Sequence, residues 1–141
     1  MTTLNQARAA VYKRFLDEWV NGDEPLTSFC FDNEVLDGDN LIWARCSVRS
    51  MPNTQETLGS PGNRKFKRRA LARVEVYTEP GSGLRAADEL IQVAVAMFEG
   101  RSLLGTTVKL YEVSSAEVGL VDDGRWFLST AQAYLDYEEI K

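Results

Sequence analysis

Three stretches of this sequence alternate apolar and polar residues with a period of two, and that parity constrains the fold more than any other feature. Successive side chains of a strand point to opposite faces of a sheet. Over residues 41–51 one parity carries Ile42, Ala44, Cys46 and Val48, the other Trp43, Arg45, Ser47 and Arg49. Over 66–78, Ala70, Ala72, Val74 and Val76 alternate with Lys67, Arg69, Leu71, Arg73 and Tyr77. Over 125–137, Phe127, Ser129, Ala131, Ala133 and Leu135 alternate with Trp126, Leu128, Thr130, Gln132 and Tyr134. One face of each strand is thus small and apolar, which lets helices sit close. The other mixes Trp, Tyr and Leu with Arg and Lys, the residue types that interface cores enrich. The plainer reading of that second face is a wet surface of snorkelling side chains.

Two segments carry helical spacing instead. Over residues 3–21, Leu4, Ala7, Val11, Phe15 and Trp19 recur every three or four positions, opposite Arg8, Lys13, Arg14, Asp17 and Glu18. Thr3 predicts the N-cap and Asn21-Gly22 the stop. Over 84–99 the stripe is Leu84, Ala87, Leu90, Ile91, Ala94, Met97 and Phe98, closed by Gly100. Shorter strands are predicted at 28–34, 103–104 and 107–117, with turns at Asp37-Gly38-Asp39-Asn40 and Asp122-Asp123-Gly124. The order α-β-β-β-α-β-β-β, with helices segregated from hairpin-linked strands, predicts an α+β fold: a mainly antiparallel sheet with two helices on one face.

Length and composition narrow the function. The 141 residues suit one domain. There is no histidine, which removes the commonest general base and the usual zinc ligand. No pairing of carboxylate, Lys or Tyr singles itself out as catalytic, so the expectation is a protein that is not an enzyme. Residues 1–6 lack the basic start and apolar run of a signal peptide, and no apolar run approaches the ~20 residues of a membrane span. Cys30 and Cys46 sit in strand-like apolar surroundings and read as reduced, buried fillers.

The charge is uneven. Arg64, Lys65, Lys67, Arg68, Arg69 and Arg73 form a run without an acid, in a chain whose net charge is −5. A basic stripe on an acidic remainder can complement a second copy head to tail. It is also a candidate nucleic-acid patch, although Phe66 alone offers a nearby stacking surface. The polar stretch 52–63 joins two long strands where a tight hairpin would have sufficed, and it predicts a mobile loop ordered by a partner. Pro80-Gly81-Ser82-Gly83 lacks the endings of phosphate-binding loops and reads as a turn. Asp37 and Asp39 lack completing metal ligands.

Several of these segments together carry a family likeness. The strand ending Ala44-Arg45-Cys46-Ser47-Val48-Arg49 leads into Gln55-Glu56-Thr57-Leu58-Gly59 and then Gly62-Asn63-Arg64-Lys65-Phe66 with Arg68. Val76-Tyr77-Thr78, Gly81-Ser82-Gly83, an Ala-rich helix ending Phe98-Glu99-Gly100, Gly124-Arg125-Trp126-Phe127 and Tyr137-Glu138-Glu139-Ile140 follow. This pattern resembles the tail terminator-like proteins of tailed bacteriophages and prophages, the minor tail protein U group, over essentially the whole chain; residues 102–120 carry little of it. The resemblance implies an α+β subunit of a homo-oligomeric ring, commonly a hexamer, on the end of the tail tube. The ring stops tube polymerisation and presents the surface to which the head docks. Implied partners are copies of itself, the tail tube protein and head–tail connector proteins, with DNA passing the lumen unrecognised and no membrane or cofactor. The implied location is the virion tail, and the host cytoplasm during assembly. The contact residues expected on this basis, with the mixed sheet face, are Trp43, Arg45, Arg49, Gln55, Glu56, Leu58, Arg64, Lys65, Lys67, Arg69, Arg73 and Tyr77. A neck or connector-completion protein of the same virion is the nearest alternative role. A small-ligand or carboxylate-based enzyme domain is the alternative from another class.

Overall fold

The spine of the molecule is the long strand β4 (Lys65–Thr78), flanked along most of its length by β2 (Trp43–Ser50) and β7 (Trp126–Ile140). The computed structural model describes residues 3–19, 28–32, 34, 42–52, 54–55, 59–99, 102–103 and 108–140. The remaining strands are β1 (Ser28–Phe31), β3 (Thr54–Gln55), β5 (Ser102–Leu103) and β6 (Val108–Val121), and the helices are α1 (Leu4–Trp19) and α2 (Arg85–Phe98). The sheet runs β1-β2-β4-β7-β6-β5, with β3 also paired to β4. The fold is α+β, as the segregated pattern predicts.

Both helices lie on one face. Ala7, Val11, Phe15 and Trp19 of α1 and Ala94, Met97 and Phe98 of α2 join Ala44, Cys46, Val48, Ala70, Ala72, Val74, Val76, Ala131, Ala133 and Leu135 in one core. These are the small apolar parities, and their short side chains allow close helix–sheet approach. Phe15 stacks on Trp19 at 5.0 Å and meets Phe29 edge-on at 5.4 Å, while Tyr12 stacks on Phe31 at 4.1 Å. Thr3 caps α1 reciprocally: its hydroxyl accepts from the Gln6 N–H at 3.3 Å, and its own N–H donates to Gln6 Oε1 at 3.0 Å. Arg8, on the charged side of the helical wheel, instead reaches the sheet and donates twice to the Val48 carbonyl, at 3.2 and 2.9 Å.

Four expectations need correction. β1 pairs with β2 in parallel and not as an antiparallel hairpin partner; the expected turn Asp37–Asn40 lies outside the described residues. Leu84, placed on the α2 stripe, precedes the helix and is 44% exposed. The stretch 52–63 is partly structured by the chain itself. Its Thr54 and Gln55 pair with Lys67 and Phe66, Asn63 N–H donates to Ser60 O at 3.0 Å, and a Cβ on Gly59 would lie 3.1 Å from Asn63 O. Strand β6 extends to Val121, beyond the expected 117.

The hairpin at 122–125 turns as predicted, with Asp122, Asp123 and Gly124 all at positive φ and Arg125 N–H donating to Asp122 O at 3.1 Å. Beyond the β5 pairing at Val108 and Lys109, the outer edge of β6 has no strand neighbour among the described residues. Its register shifts at Tyr111/Ser114 and Glu117/Gly119, and Glu112 and Gly119 have φ of 51° and 107°. Cys30 and Cys46 are both buried and free; Cys30 pairs with Arg45 and Cys46 with Phe31, so they point to opposite faces. No described helix is long and apolar enough to cross a membrane.

Candidate functional site

No described element crosses the other face of the sheet. Parity brings eight of the expected contact residues onto it, in cross-strand rows fixed by the register. Trp43, Tyr77 and Leu128 form one row, then Arg45, Glu75 and Thr130, then Ser47, Arg73 and Gln132, then Arg49, Leu71 and Tyr134. Arg69 and Lys67 continue opposite Asp136 and Glu138, with Lys65 beyond.

One end of this face is aromatic. Trp43 and Tyr77 stack with centroids 4.0 Å apart and planes 6° from parallel, and Trp126 meets Trp43 edge-on at 6.0 Å. Guanidinium groups lie over these rings: Arg45 is 5.2 Å from the Trp43 centroid and Arg125 is 5.8 Å from that of Trp126. The acid at the centre is Glu75. It accepts a short hydrogen bond from the Tyr77 hydroxyl and lies 4.0 Å from Arg73. Arg73 also donates to Gln132 Oε1 at 3.4 Å. Burial, and next the bond to Glu75, push the Tyr77 phenol well above its usual range. Even so, the Nε atoms of Arg45 and Arg73 are buried and find no acceptor among the described residues. Buried donors without acceptors are rare in finished structures.

The other end is ionic and satisfied internally. Lys65 pairs with Glu138 at 3.0 Å, Lys67 with Asp136 at 3.8 Å and Arg69 with Asp136 at 3.5 Å. Arg68, on the helix side, pairs with Glu139 at 3.1 Å and lies 4.7 Å from the Phe66 centroid. Tyr111 stacks on Tyr134 at 5.9 Å and donates to Asp136 Oδ1 at 3.0 Å. The basic run thus meets the C-terminal acids of its own chain across the β4–β7 ladder. A phosphate or a partner's acid would have to displace them.

Arg49, on the same face, reaches Asp32 at 3.1 Å. The remaining expected residues lie elsewhere: Arg64 donates to Gly59 O at 2.9 Å, bracing its own loop. Gln55 is placed by backbone pairing with Phe66, and Glu56 and Leu58 lie outside the described residues. Sequence reasoning missed Glu75 as the hub; its signal was the Arg73-Glu75-Tyr77 spacing, which puts all three on one face. Among the described residues there is no group of three or more acidic or cysteine side chains able to hold a metal ion.

The sequence matches no family model and no curated protein. Among solved structures, 22 chains are similar to it. One, which bears only a sequence label for a name, superposes with a TM-score of 0.70 over 96% of this chain and 96% of its own, at 18% identity. At that identity the likeness shows a shared fold.

Proposed function

We propose that this chain is a structural tail-completion protein of a tailed phage or prophage. Copies close into a ring on the end of the tail tube, stop its polymerisation and offer the surface on which the head docks. The observation that carries the reading is the uncovered aromatic end of the sheet, where Trp43, Tyr77 and Trp126 lie beside the guanidinium groups of Arg45 and Arg125. Stacked aromatics and arginine dominate the binding energy of protein interfaces. The family likeness supplies the kind of assembly, and the site supports contact between copies through this face. The ion-paired basic run supports a ring through which DNA passes without being gripped.

Native mass measurement and negative-stain imaging over a range of concentrations test the proposal, alone and with tail tubes added. The expected result is a closed ring of countable subunits, templated by the tube end where free subunits associate weakly. A strict monomer that forms no ring even on tubes overturns it. In virions assembled without the protein, overlong tubes are expected. Tubes of normal length that fail to join heads would assign the neck role instead.

A further inference from the structure

On the helix side of the sheet a cleft of about 200 Å³ opens between α2 and the irregular part of β6, lined by Asp88, Ile91, Gln92, Ser115, Ala116, Glu117 and Ser129. Two carboxylates, an amide carbonyl and two hydroxyls can accept hydrogen bonds here, and no cation is among the described residues that line the cleft. Ser129 sits between Val76 and Glu117 in the ladder. It is only 3% exposed, and its hydroxyl has no hydrogen-bond partner among the described residues. A buried hydroxyl left unpaired is a cost that folding ordinarily avoids. Here it lines a cleft already rich in acceptors, so a group that brings several donors and positive charge answers every polar feature of the site.

A primary ammonium fits this description: it carries three donors and no acceptor. The half-buried Ile91 adds apolar wall along which a short alkyl stem can lie. A divalent cation fits less well, since calcium takes six to eight oxygens, several from carboxylates, and no described trio of acidic groups gathers here. We infer that the α2–β6 cleft binds a primary alkylammonium group. The source is either a free amine or a lysine side chain from another chain. This site is on the opposite side of the sheet from the aromatic face.

Amide chemical-shift titration of the full chain tests the inference. The probes are n-butylammonium, 1,4-diaminobutane and a short lysine-containing peptide, with n-butanol and calcium chloride as controls. Saturable shifts confined to Ile91, Gln92, Ala116 and Ser129 with the amines, and none with butanol, are the expected result. Glu117→Gln and Asp88→Asn, both at exposed positions, are each expected to weaken binding about tenfold with unchanged unfolding midpoints. Ser129→Ala is expected to weaken it severalfold, and Ser129→Thr to restore part of the loss. Tighter binding of the diamine than of the peptide assigns a free amine; the reverse assigns a lysine side chain. Equal shifts with butanol, shifts with calcium but not with amines, or unchanged affinity in Glu117→Gln would each overturn the inference.

Discussion

The two faces of this sheet are built from alternate residues of the same strands, yet they are finished in different ways. On the helix side, Ala44, Ala72, Val74, Ala131 and Ala133 are fully buried because α1 and α2 bring the covering surface. On the other side, long side chains cover one another: Trp43 on Tyr77, Arg45 on Trp43, Arg73 between Glu75 and Gln132. The first face has no polar group to satisfy along most of its length. The second leaves guanidinium donors unmatched. One face therefore measures what holds the subunit together, and the other what the subunit has left to offer.

The sharpest way to break the contrast is to strip the cover from the first face. Phe15→Ala removes a fully buried ring that joins α1 to β1 and is expected to cost about 3–5 kcal/mol of stability by denaturant unfolding. Trp43→Ala should split the two readouts. Loss of the stack with Tyr77 costs about 0.5–1.5 kcal/mol beyond the area effect, whereas association, read by sedimentation, should weaken by about 2 kcal/mol or more. Asp136→Asn removes the shared partner of Lys67 and Arg69. Exposed pairs of this kind contribute about 0–1 kcal/mol, so its effect should be small and vanish in high salt. The effect that is absent at neutral pH is alkaline. The phenols of Tyr12, Tyr77, Tyr111 and Tyr137 are all raised, in each case first by burial. The folded chain holds these protons more tightly than the unfolded one, so stability should be level up to about pH 9 and decline as pH rises past about 10. Absorbance at ~295 nm should show those tyrosines ionising late, and Tyr77→Phe should reduce the decline; phenols that all titrate at the ordinary value would contradict this.

Much of this contrast is legible in the sequence, because strand parity is local: one residue decides the face of its neighbours. Ala70 through Tyr77 sort correctly onto the two sides on that basis alone. The helix stripes are legible for the same reason, with Leu84 lost because the turn at 79–83 delays the helix start. What escapes is whatever depends on pairing partners. The parallel joining of β1 to β2 is fixed by the register of Phe31 against Cys46, which no local pattern records. The basic run looked like a surface for others because its acids, Asp136, Glu138 and Glu139, lie far along the chain and meet it only through the β4–β7 ladder. The hub role of Glu75 was hidden similarly: an acid among arginines on one strand reads as ordinary alternation until the rows are aligned. The Ser129 cleft depends on a shift of register in β6, which sequence periodicity does not announce.

The broken outer margin of β6 has a consequence for how copies of the chain meet. A strand lying open along a sheet's rim would ordinarily invite an identical strand beside it, and then another, without end. Here the backbone reverses its handedness at Glu112 and Gly119, so the donors and acceptors along that rim do not present the even spacing a second ladder needs. Lateral growth of the sheet is discouraged, which leaves a face for the contact between copies proposed above. A subunit whose proposed task is to end a polymer carries, in this margin, its own safeguard against starting one.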